Sequence, residues 1–151
     1  MRSRVLALVL ATGCATLMGG NKPGEVRKDV VDGWQLSGIM VPIGGVQVVR
    51  MDLGQVRDSR QNVNVTLLLN HSDTPIDCNS ITFVSSQPAS LTKVRYLAAG
   101  PSGHSASGQL PLASLAAVAK PGLKLDWCHI VIPLDDAQVA RLQEFAEKAG
   151  V

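Results

Sequence analysis

The chain has 151 residues, 46% of them hydrophobic and 17% charged, which suits one domain with a real core and is too apolar for an intrinsically disordered chain. Its formal charge of +2 falls to zero once Arg2 and Arg4 are set aside, leaving 12 basic against 12 acidic residues. A neutral body lacks the positive field of a nucleic-acid binder and excludes attachment to anionic lipid by charge alone, so any membrane partner must be reached covalently or through protein.

The N-terminus reads Met1, Arg2, Ser3, Arg4, then the apolar run Val5 to Ala11, closed by Thr12, Gly13 and Cys14. Charge, an apolar run and small residues in that order are the layout of a secretory signal, and a run this short cannot span a hydrocarbon core of roughly 30 Å. The residues Leu10-Ala11-Thr12-Gly13-Cys14 resemble the bacterial lipobox, departing from its commonest form only at Ala11, where leucine is typical. The resemblance covers the leader alone. It implies cleavage before Cys14 and a lipid anchor on that cysteine, and Ala15 in place of an aspartate implies the outer membrane of a double-membraned host. Ala11 and Gly13 also suit an ordinary signal peptidase, which would release a freely secreted protein with Cys14 as a thiol.

Residues 1–13 are therefore expected to be a signal peptide, and 14–33 a lipidated cysteine followed by a flexible tether broken by Gly19-Gly20 and Pro23-Gly24. Nineteen flexible residues reach about 24 Å. The single β-rich domain is placed at 34–151. With Cys14 assigned to lipid, Cys78 and Cys128 remain, and in an oxidising compartment such a pair is read as a disulfide; two separate buried thiols are the alternative.

Trp34 to Val41 and Val46 to Leu53 are rich in bulky and β-branched residues and flank Pro42, Gly44 and Gly45, which predicts a hairpin. Between Asn62 and Asn70, Val63, Val65, Leu67 and Leu69 alternate with Asn62, Asn64 and Thr66, the pattern of a strand with one solvated face. A turn-rich stretch, Asn70 to Pro75, leads to a strand over Ile76 to Val84 carrying Cys78, and another follows over Thr92 to Ala98. Gly100 to Gly108 is small and polar throughout and predicts a mobile surface loop. Ala113 to Ala119 predicts a short helix stopped by Pro121-Gly122.

Leu123 to Leu134 predicts one long central strand, because Ile130-Val131-Ile132 shows no alternation; Cys128, His129 and Trp127 would lie on it. In the C-terminal helix Asp135 and Gln138 form a capping box, Leu134 can staple against Val139, and Val139, Leu142, Phe145, Ala146 and Ala149 share one face. Its polar face mixes acids and bases, the mark of a helix packed on a sheet instead of on a membrane. The expected fold is mainly β or α+β: an antiparallel, β-sandwich-like sheet with a short helix and a C-terminal amphipathic helix packed on it.

Catalytic motifs are missing. There is no nucleotide-binding glycine loop and no zinc-protease signature. Gly103-His104-Ser105-Ala106-Ser107 falls one residue short of a nucleophile elbow and lies in no strand-to-helix context. His71 with Asp73 and Asp77 could form a proton relay or metal site, with His104 as a further candidate, but in a turn of Asn, Ser, Asp and Pro such residues are read as solvated polars. No cofactor is expected. By elimination the sequence points to a lipid-anchored, non-enzymatic binding or assembly component of the bacterial envelope, partnered by other envelope proteins. The alternatives are a small periplasmic hydrolase or metal-dependent enzyme, and a freely secreted inhibitor or effector.

Overall fold

A computed structural model describes residues 24–45, 48–69, 79–98 and 104–149. These described residues are mostly antiparallel β and form two sheets and two helices. The strands are β1 (Arg27–Val31), β2 (Trp34–Pro42), β3 (Val48–Val56), β4 (Ser59–Leu69), β5 (Ile81–Val84), β6 (Ala89–Ser90), β7 (Thr92–Ala98), β8 (His104–Pro111), β9 (Lys124–Trp127) and β10 (Ile130–Pro133). The helices are α1 (Leu112–Val118) and α2 (Asp136–Ala149). One sheet has the order β1-β2-β3-β4-β8-β7 and the other β10-β9-β5-β6. Residues of both sheets and both helices, among them Val65, Phe83, Leu115, Leu125, Trp127 and Phe145, share one core. The α+β, sandwich-like fold class is therefore the observed one.

Local chemistry explains the elements that the sequence signalled. On β4 Val63, Val65, Leu67 and Leu69 are buried while Asn62, Asn64, Thr66 and Leu68 are half-buried, as period-two alternation requires. At α2 the capping box is complete: Gln138 N donates to Asp135 Oδ1 at 2.7 Å, and Asp135 N donates to Gln138 Oε1 at 2.8 Å. The five residues of the expected apolar stripe are all buried, and Lys148 bonds Glu144 on the outside.

Three expectations are corrected. The ordered fold reaches upstream of Trp34, because β1 pairs with β2 from Arg27 opposite Gly38 to Val31 opposite Trp34, where the sequence predicts a tether. Asp32 (φ 51°) and Gly33 (φ 82°) form the two-residue turn between them; both positions need the left-handed region that an Asp-Gly pair supplies cheaply.

The expected loop at Gly100 to Gly108 is instead entered by β8 at His104, and β8 pairs on both sides, with β4 and with β7. At Gly108 the small residue is a packing requirement. A Cβ built on Gly108 would come within 2.9 Å of Leu91 Cβ and 3.0 Å of Val94 Cγ2, so a backbone this close to its neighbours admits no side chain. Gly108→Ala is accordingly expected to destabilise the protein by about 2 kcal/mol through overpacking, read as a lower urea midpoint with an unchanged slope. A neutral substitution would show that β8 is not held where it is described.

The long strand at Leu123 to Leu134 is a hairpin, β9 and β10, folded at Cys128 (φ 55°) and His129 (φ 70°). Two consecutive non-glycine residues in the left-handed region carry no turn signature, and each costs roughly 1 kcal/mol or more. The turn is tied down locally: Cys128 N donates to Ser80 O at 3.1 Å, and His129 N donates to Asp126 Oδ1 at 2.9 Å. Consequently β10 is an edge strand with Val131 53% exposed, Cys128 lies in a turn and not on a strand, and His129 is exposed and not in the core. Trp127 is core, 1% exposed, with its indole N–H buried and unpartnered.

Candidate functional site

The residues singled out for chemistry do not form one described cluster. Cys14, Cys78, His71, Asp73 and Asp77 lie outside the described residues. Cys128 is disulfide-bonded, with a half-cystine partner that is likewise outside them. His104 sits at the start of β8, where its ring stacks on Tyr96 at 5.7 Å and 17° and its Nδ1 meets the Tyr96 hydroxyl. Ser105 is paired with Leu68 on one side and Leu97 on the other, so it stands in a sheet ladder and not on a nucleophile elbow. Among the described residues no group of three or more His, Cys, Asp or Glu is placed to hold a metal ion. No described helix is long and apolar enough to cross a membrane.

A different feature emerges from strand register. Along β2 the buried positions Ile39 and Val41 give way toward the strand's start to Ser37 and Gln35, and Lys28 stands opposite Ser37 on β1. Beside them β3 changes from Leu53 to Gln55, and β4 from Val63 to Gln61. The core-facing side of the large sheet therefore turns from apolar to polar at one end, beyond the last turn of α2. There lies a cavity of about 280 Å³, lined by Lys28, Gln35, Ser37, Gln55, Arg60, Gln61, Leu112 and Ala149.

Gln55 builds its floor. Its Oε1 accepts from Ser37 N at 2.8 Å, and its Nε2 donates to Ala149 O at 2.9 Å and to Arg60 O at 3.3 Å. One amide thus joins β2, the start of β4 and the C-terminal end of α2, with both N–H bonds and one lone pair of its oxygen engaged. Ser37, 4% exposed, is the one buried polar residue among those described.

At the rim, the Arg60 guanidinium lies 4.9 Å from the centre of the Trp34 ring, a cation–π contact that orients the cation while Trp34 stays 49% exposed. The neighbouring hairpin tips are joined by ion pairs of Arg57 with Asp32 and with Asp58. Those two carboxylates, Asp58 foremost, raise the Arg57 pKa above its ordinary value. No carboxylate is among the described residues that line the cavity.

Sequence reasoning did not find this site. A signal existed in the polar residues that interrupt the inward-facing positions of β2 and β4, but assigning them to one place needs the register of four strands. Comparison of the chain with protein families, with curated proteins and with solved structures finds no match.

Proposed function

We propose that the chain is an exported, lipid-anchored binding domain of the bacterial cell envelope, non-catalytic, whose ligand-facing end is the polar cavity at Ser37 and Gln55. The observation that carries this reading is where the chain enters the fold relative to that cavity. Gly24 is fixed beside the first half of α2: its N donates to Met40 O, and its carbonyl accepts from Arg141 Nη1. The cavity lies at Ala149, eight residues further along the helix, about 12 Å at 1.5 Å per residue. Cys14 stands ten residues before Gly24, outside the described residues, and ten residues of chain span at most about 35 Å, enough to clear a bilayer surface while leaving the cavity open to the surroundings.

The cross-link belongs to the same reading. With Cys14 lipidated, the partner of Cys128 is Cys78, two residues from the Ser80 carbonyl to which Cys128 is bonded. Two residues of chain span at most about 7 Å, and a disulfide needs Cα atoms roughly 4.4–6.8 Å apart, so the pairing is within reach.

Metabolic labelling with palmitate in a bacterial host tests the anchor. The wild-type chain is expected to take up label and to partition with membranes, and Cys14→Ser to lose both. An unlabelled wild-type protein recovered from the soluble fraction would turn the reading into that of a freely secreted domain.

A further inference from the structure

We propose that the cavity at the end of the large sheet takes a small polyhydroxylated carboxylate, a single sugar acid of the uronic-acid class. This rests on the binding-domain reading and names the ligand of the same site. A volume of about 280 Å³ lies at the small end of ligand pockets, which suits one ring. The lining decides the chemistry. Both N–H bonds of Gln55 are spent on Arg60 and Ala149, so the groups left to meet a ligand are the Lys28 ammonium, the Arg60 guanidinium, the Gln35 and Gln61 amides, the Ser37 hydroxyl and the second lone pair of Gln55 Oε1.

Charge settles the sign. The C-terminal end of α2 brings roughly half a negative charge to the cavity, and its last described carbonyl is already bonded to Gln55, whereas Lys28 and Arg60 bring two full positive charges and no carboxylate is among the described lining residues. The two cations outweigh the helix end, and an anion is favoured. Arg60 is held in place by Trp34, and its planar fork fits a carboxylate through two parallel hydrogen bonds. Amides and a hydroxyl, each both donor and acceptor, match alcohols better than they match a bare inorganic anion. The small apolar surface of Leu112 offers a place for the C–H side of a ring.

The test is an NMR titration of the detergent-solubilised full chain with sodium glucuronate, glucose and sodium phosphate in parallel. Glucuronate is expected to bind saturably, at least about tenfold more tightly than glucose, since a hydrogen bond to a charged group is worth about that much. It should also bind more tightly than phosphate. Lys28→Gln and Arg60→Gln, both at exposed positions, should each weaken glucuronate about tenfold, leave glucose unchanged and keep the melting temperature within a few degrees. No saturable glucuronate binding, equal binding of glucose or phosphate, or indifference to both substitutions would overturn the proposal. Failure of palmitate labelling alongside tight glucuronate binding would remove the anchor and leave the ligand class intact. Conversion of glucuronate to a product would remove only the non-catalytic reading.

Discussion

Replacing Cys128 with serine is expected to destabilise the folded protein by about 4 kcal/mol and to lower its melting temperature on the order of 10–20 °C. If Cys128 is bonded to Cys78 the closed loop is about 50 residues long, and loop-closure entropy sets the figure. The turn at Cys128 and His129 adds to it. Both residues hold left-handed backbone that neither prefers, and the cross-link is among the restraints that keep them there. Cys78→Ser and the double serine variant should show the same loss as Cys128→Ser, because each removes one and the same bond. Thermal unfolding followed by circular dichroism under non-reducing conditions is the measurement. If the double variant lost twice as much as either single variant, or Cys78→Ser lost nothing, Cys78 would not be the partner.

Phe145→Ala is expected to cost a similar amount, about 4 kcal/mol, for a different reason. Phe145 is fully buried on the face that α2 turns to the core, in the same stripe as Leu142 and Ala146, and truncation leaves a ring-sized void that a helix held at both ends cannot close. At the N-terminal end Gln138 Nε2 donates to Pro42 O, and at the other Gln55 Nε2 donates to Ala149 O. Glu144→Ala, one residue away on the outside, should cost only about 0.3–0.5 kcal/mol, since it removes an exposed pair with Lys148 four residues on. Urea midpoints for the two variants would separate burial from surface charge. A Phe145→Ala midpoint no lower than that of Glu144→Ala would show that α2 does not cover the core.

What could be read in advance divides along physical lines. The strand over Val63 to Leu69 and the helix over Asp136 to Ala149 were legible because one-sided burial writes its period into the residues themselves. The first hairpin went unread: Asp32-Gly33 between Val31 and Trp34 is a turn signature, but the glycines and charges before it read as a tether. Other elements carry no such mark. Strand β8 reads Ser-Ala-Ser-Gly-Gln over 105–109, and at Gly108 the smallness is for want of space, with Leu91 and Val94 pressed close; a sequence cannot distinguish residues that are small for that reason from residues that are small for want of contacts. The turn at Cys128 and His129 uses residues that avoid left-handed backbone, so the single apolar run from Leu123 to Leu134 hid two antiparallel strands. The cavity was least legible of all. Lys28, Ser37, Gln55 and Arg60 belong to four strands, and only hydrogen-bond register brings them to one end of a sheet.

The position of Gly24 has a mechanical corollary. A pull on the chain at Gly24 reaches the large sheet through β1, whose ladder joins Arg27–Val31 to β2. A ladder pulled along its length must break its rungs together, whereas one peeled from its end loses them singly. The first strand is thus the seam through which a load on the upstream chain enters the sheet.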